Sequence, residues 1–117
     1  MLREFGLRNK ADVRAQQLTQ IELRRLELAR AAATRPRILI SDESMAGLSH
    51  SEVDEVLQIL MRISASGVTV IMIEHIMRAV MRFSQRIICL DAGSVLAEGG
   101  PEEIVKSAEV RRAYLGT

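Results

Sequence analysis

The sequence predicts an α/β fold: a short parallel sheet with flanking helices and a C-terminal β-hairpin. Three observations carry this reading. Two apolar runs, Arg37-Ile38-Leu39-Ile40-Ser41 and Val68-Thr69-Val70-Ile71-Met72-Ile73, each stop at an acid-bearing pair, Asp42-Glu43 and Glu74-His75. The chain between them holds one amphipathic helix and its turns, which is the layout of a parallel βαβ unit. Only 3% of residues are aromatic while 48% are hydrophobic. The core is therefore built from Leu, Ile, Val, Met and Ala, which suits helices packed on a buried parallel sheet.

The elements follow in order. Leu2 to Ala15 is charged and reads as helical, ending near Gln16-Gln17. Leu18 to Ala33 reads as one helix, with Leu26, Ala29 and Ala33 at helical spacing and Arg24, Arg25 and Arg30 on other faces. Thr34-Arg35-Pro36 ends it, because proline lacks a donor and disfavours helix just before it. The strand Arg37–Ser41 comes next, and Ser44 to Leu48, with Gly47, is a loop. Ser49-x-x-Glu52 is a capping box for a helix that carries Val53, Val56, Leu57, Leu60 and Ile63 on one stripe. Ser66-Gly67 stops that helix. Val68–Ile73 is apolar on both faces, as a strand in the middle of its sheet would be. A short helix over Ile76 to Phe83 leads to the strand Arg86–Leu90. Asp91-Ala92-Gly93 is a tight turn, so Val95 to Ala97 returns antiparallel. Gly99-Gly100-Pro101 opens a helix through Ile104, and Ala108 to Leu115 forms a last short one.

Composition excludes several classes. A chain of 117 residues fits one domain or a piece of a larger one. A net charge of +1 argues neither for nor against nucleic acid or anionic lipid; no nucleic-acid partner is expected. The one cysteine, Cys89, has no partner for an internal disulfide and fits a reducing compartment. No apolar stretch approaches the roughly 18–20 residues of a membrane span, and Met1 to Lys10 lacks the apolar core of a signal peptide. Membrane association is expected only through a partner.

In parallel sheets ligands gather at the carboxyl ends of the strands, so Asp42, Glu43 and His75 are expected at one rim. An apolar strand delivering Asp-Glu to its end is a Walker B pattern. Asp42 would hold Mg²⁺ through its water shell, because magnesium is hard and keeps several waters. Glu43 would polarise an attacking water, and His75 would contact a γ-phosphate. Read alone, Asp42-Glu43 is more commonly a strand end that opens a turn, and a lone histidine after a strand is commonly a hydrogen-bonded structural residue. His50, beside the capping box, reads as a solvated helix-start residue.

Motifs in order then resemble a known family. Leu18-Thr19-Gln20-Ile21-Glu22, followed by Leu23 to Ala31, looks like the signature loop and helix of an ATP-binding cassette (ABC) ATPase. Ile38 to Glu43 looks like its Walker B strand, Ala46-Gly47-Leu48-Ser49 like its D-loop, and Val70 to His75 like the strand bearing the switch histidine. The ending, Ala97-Glu98-Gly99-Gly100-Pro101-Glu102-Glu103-Ile104 and then Val110 to Gly116, is similar to the tail of branched-chain amino acid importer ATPases. The resemblance covers nearly the whole chain and makes residues 1–117 the C-terminal half of an ABC ATPase domain, a partial P-loop NTPase fold. It implies ATP and Mg²⁺ as cofactors, with Asp42 as the metal residue and Glu43 and His75 as the catalytic residues. Thr19, Gln20, Ile21, Glu22, Gly47 and Ser49 are implied to face nucleotide. It further implies a second ATPase subunit and membrane permease subunits as partners, and a cytoplasmic location, peripheral at the inner face of the plasma membrane.

The sequence also departs from the family pattern. No G-x-x-x-x-G-K-[ST] occurs in it, so the backbone nest and lysine that cradle phosphates are missing from these residues. Ile21 stands where the family has glycine, and Glu22 where it has glutamine. A β-branched side chain blocks close backbone approach to a phosphate, and a carboxylate repels one. Ser41 is polar in an otherwise apolar strand, Ser44 replaces a proline, Ser49 an Asn or Asp, and Ile76 an acid. The expectation is part of an importer ATPase that is inactive as an isolated chain. The alternatives are a nucleotide-incompetent interaction module and a truncated remnant.

Overall fold

Thr19 and Ser49 start the two long helices in the same way. Each hydroxyl accepts a hydrogen bond from the backbone N–H three residues on, at 3.3 Å, and each backbone N–H donates to the carboxylate of Glu22 or Glu52 at 2.9 Å. These reciprocal bonds satisfy donors that a helix start leaves unpaired. They open α1 (Gln20–Ala33) and α2 (His50–Ala65). The computed structural model describes residues 5–115, in two compact units, Met1–Glu74 and His75–Thr117. Within the expected first helix Leu2 to Glu4 lie outside the described residues, as does Gly116 of the tail.

In the first unit, β1 (Ile38–Asp42) pairs in parallel with β2 (Thr69–Ile73), with α2 as the crossover. The register sets Ile38 beside Thr69, Ile40 beside Ile71 and Asp42 beside Ile73. Leu39 and Ser41, on the opposite face of β1, are buried. The predicted stripe of α2 is buried in full, and Ile59 joins it. Arg25 on α1 and Glu55 on α2 form an ion pair at 2.5 Å.

The second unit runs α3 (Met77–Phe83), β3 (Ile87–Asp91), β4 (Ser94–Gly99), α4 (Pro101–Lys106) and α5 (Ala108–Val110), the last continuing as a π-helix over Arg111–Leu115. β3 and β4 form the expected antiparallel hairpin, with a bulge at Cys89/Leu90. Its core is Val80, Ile87, Cys89, Ile104 and Val110. The tail is fixed to the hairpin by the Tyr114 hydroxyl, which donates to the Leu90 carbonyl, and to α4 by Arg111 Nε, which donates to the Val105 carbonyl at 3.0 Å.

Two expectations need correction. The described residues from Phe5 to Ala15 do not form one helix; short 3₁₀ turns stand at Arg8–Lys10 and Ala15–Gln17. Phe5 and Leu7 are both buried, and residues two apart do not share a helical face. Gly6 between them sits at φ +70°, outside helical geometry. β2 is also not central: among the described residues it has one neighbour, β1, and Ile71 and Ile73 on one of its faces are exposed.

Candidate functional site at the end of the parallel sheet

Asp42 is the last residue of β1 and is exposed. Glu43 follows with φ +51°, a left-handed conformation that costs a non-glycine residue about 1 kcal/mol. The turn is held by the Glu43 N–H, which donates to the Ile73 carbonyl at 2.8 Å. That bond continues the β1–β2 ladder one residue past the strand and then breaks it. Asp42 and Glu43 therefore leave the sheet in a fixed turn at its carboxyl end.

The turn is anchored from beneath. Met45 is fully buried, and the Leu48 N–H donates to its carbonyl at 3.2 Å. Ser41, 4% exposed, shares a 2.6 Å hydroxyl–hydroxyl bond with Ser44. The two serines that depart from the family pattern thus satisfy each other, as a buried hydroxyl requires.

The α1 start comes to the same turn. Gln20 Nε2 lies 3.5 Å from the Ala46 carbonyl. Gly47 has φ +78°, a conformation that favours glycine, and a Cβ there would stand 2.8 Å from Gln20 Nε2 and push that amide aside. Gln20 and Gly47, two of the expected nucleotide-facing residues, are thus brought together. Thr19, Glu22 and Ser49 have their polar groups engaged in the helix caps. Glu22 also lies 3.6 Å from Lys10 Nζ. The Thr19 backbone N–H, followed by weaker help from the Thr19 hydroxyl and Lys10, holds the Glu22 carboxyl below its usual range. Ile21 is half-buried in the first turn of α1.

His75 begins the second unit, two residues after Ile73, and is exposed. Glu74 before it carries a feature that sequence reasoning misses. Both of its carboxylate oxygens are enclosed and lack a hydrogen-bond partner among the described residues. Such a group is costly to keep and marks a place where a donor, a water or a cation belongs. Its only sequence signal is an acid directly after five apolar-strand positions. His50 is the exposed first residue of α2, as expected.

Among the described residues no three His, Cys, Asp or Glu side chains cluster as a metal cage. Asp42 still suits magnesium, which keeps most of its water and takes one or two carboxylates. A cavity of about 490 Å³ opens among Arg35, Pro36, Arg62, Ser66 and Val68. It lies at the amino ends of β1 and β2, the wrong end of the sheet for strand-end chemistry.

A model of the branched-chain amino acid ATP-binding cassette transporter family matches residues 94–117. The chain is 42% identical over 116 residues to the high-affinity branched-chain amino acid transport ATP-binding protein BraF of Pseudomonas aeruginosa. It is 40% identical over 116 residues to LivG of Escherichia coli, which carries the same description. Each alignment takes in 98% of this chain and 46% of the relative, so the chain spans about half the length of the relatives it matches. In fold it superposes on the crystal structure of the ADP conformation of MJ1267, an ATP-binding cassette of an ABC transporter. The TM-score is 0.90 at 23% identity, over 99% of this chain and 47% of that one. By sequence and by fold, the chain corresponds to the C-terminal half of an ABC transporter ATP-binding subunit and resembles the branched-chain amino acid family.

Proposed function

We propose that this chain supplies the hydrolytic carboxylates of an importer ATPase. Asp42 would hold Mg²⁺ through water, Glu43 would orient the attacking water and accept its proton, and His75 would contact the γ-phosphate. Bound Mg-ATP supplies the phosphoanhydride that is cleaved. The observation that carries this reading is the left-handed Glu43, pinned to Ile73 directly after Asp42. Strained backbone at a strand's carboxyl end is where catalytic groups concentrate. Gln20 over Gly47 supports a role for the neighbouring turn. The relatives' descriptions support a branched-chain amino acid as cargo. Permease subunits and a second ATPase subunit would be the partners, at the cytoplasmic face of the membrane. No helix among the described residues is long and apolar enough to cross it.

The phosphate-cradling motif must come from outside these residues, so the test uses a fusion. The part of BraF that this chain does not match is joined ahead of residue 1, and Mg-ATP turnover is measured. The fusion is expected to hydrolyse ATP, and Glu43→Gln to lower the rate by about 10²-fold or more. Turnover that ignores Glu43, or none at all, refutes the assignment. A second reading, an interaction module that does not use nucleotide, draws on Ile21 and on a Glu22 carboxylate committed to its cap. A fusion that folds, binds a second ATPase subunit and leaves ATP intact would favour it.

A further inference from the structure

The cavity at the amino ends of β1 and β2 combines an apolar chamber with two unspent cations. Its volume of about 490 Å³ is that of a small-molecule site. Phe5 closes one wall and is itself buried, Ile59 and Ile63 come from the buried stripe of α2, and Val68 leads into β2. Arg35 and Arg62 line it as well, and no carboxylate does. Both arginines are exposed, which sets them at the mouth of the chamber. All of these residues belong to the first unit.

The two guanidiniums are not used by the protein. Among the described residues neither forms an ion pair or a side-chain hydrogen bond. The carbonyls that an arginine at a helix end commonly holds are already taken. The Thr34 hydroxyl donates to the Ala31 carbonyl at 2.7 Å, and the Ser66 hydroxyl to the Ile63 carbonyl at 2.6 Å. Arg35 also sits at φ +51° just past the end of α1, where glycine or asparagine would end the helix with less strain. Its backbone N–H donates to the Ala32 carbonyl at 3.0 Å, which fixes that conformation. Backbone strain of this kind collects at ligand clamps.

We infer that the cavity binds an amphipathic oxyanion, with an aliphatic body in the chamber and a carboxylate or phosphate head held by Arg35 and Arg62. The guanidinium fork matches either head with paired N–H···O bonds. A free amino acid fits poorly, because its ammonium would meet two cations and no carboxylate. The site is independent of the catalytic reading, which concerns the opposite end of the sheet.

Octanoate, octyl phosphate, octanol and leucine are each titrated into the ¹⁵N-labelled chain and into the BraF fusion, and amide shifts are followed. Saturable shifts are expected at Ile63, Ser66 and Val68 in both proteins. At least one oxyanion is expected to bind about tenfold or more tighter than octanol, as charge-assisted hydrogen bonds require. The tighter of the two identifies the head. Arg62→Gln and Arg35→Asn, the second a residue that tolerates left-handed backbone, are expected to bring oxyanion affinity down to that of octanol and to leave octanol binding unchanged. The comparison with octanol needs no variant, so it stands even where a variant fails to fold. Octanol binding as tightly as both oxyanions overturns the inference, as does leucine binding as tightly as octanoate. Folded variants that bind as the unaltered chain does also overturn it. So do shifts centred on the exposed Ile38, Ile40 and Ile71, and so does a fusion that binds neither oxyanion.

Discussion

Ser41 and Ser44 show how a single pair changes meaning on folding. Read along the chain they are two unrelated departures from an apolar strand and a proline-bearing turn. Folded, they are one 2.6 Å bond beneath the Asp42-Glu43 turn. Removing the Ser44 hydroxyl strands that of the buried Ser41, at a cost of about 1–3 kcal/mol. Ser44→Ala is expected to destabilise by that amount in denaturant unfolding. Adding Ser41→Ala is expected to recover part of the loss, a coupling of about 1 kcal/mol. Strict additivity would show that the two hydroxyls are independent. The residue scale was only partly legible: an apolar run ending in Asp-Glu marks the strand end, and that is where Asp42 and Glu43 stand. Nothing in a glutamate announces φ +51°, because that conformation is imposed by the bond to Ile73. Nor does an acid after a strand announce that its oxygens are enclosed, as those of Glu74 are.

Helices α1 and α2 are the elements on which the turn rests, and their starts carry titratable caps. The α2 box was legible as Ser49-x-x-Glu52. The identical spacing Thr19-x-x-Glu22 is masked by its likeness to a signature loop, although it forms the same bonds. Strand ends shift by a residue: β1 takes in Asp42 rather than Arg37. The amino-terminal segment fails as a helix because Phe5 and Leu7 need the same interior from positions two apart. The α1 cap has a pH signature. Its fold lowers the Glu22 carboxyl below the usual value, so the folded state favours the ionised form. That contribution is full above the unfolded value and is lost as pH falls through the carboxylate range to the lowered folded value. Thermal melts of the chain and of Glu22→Gln, which keeps an acceptor but no charge, are expected to differ most near neutrality and to converge on acidification. Parallel melting curves across that range would contradict a charged cap.

At the scale of the molecule, each unit has a core of its own and the first leaves a sheet face bare. The α/β class, the crossover and the C-terminal hairpin were legible because periodicity and turn residues are local signals. The apolar pattern of Val68–Ile73 was legible too, but its meaning was not. It reads as a central strand, while the chain supplies β2 with one neighbour and one covered face. The chain spans about half the length of the relatives it matches. In the proposed function this chain keeps the hydrolytic end of its sheet while the phosphate cradle lies outside these residues. Isothermal titration of Mg-ATP into the chain alone tests that claim most directly. The account predicts millimolar or undetectable binding, and low-micromolar binding by the chain alone would contradict it.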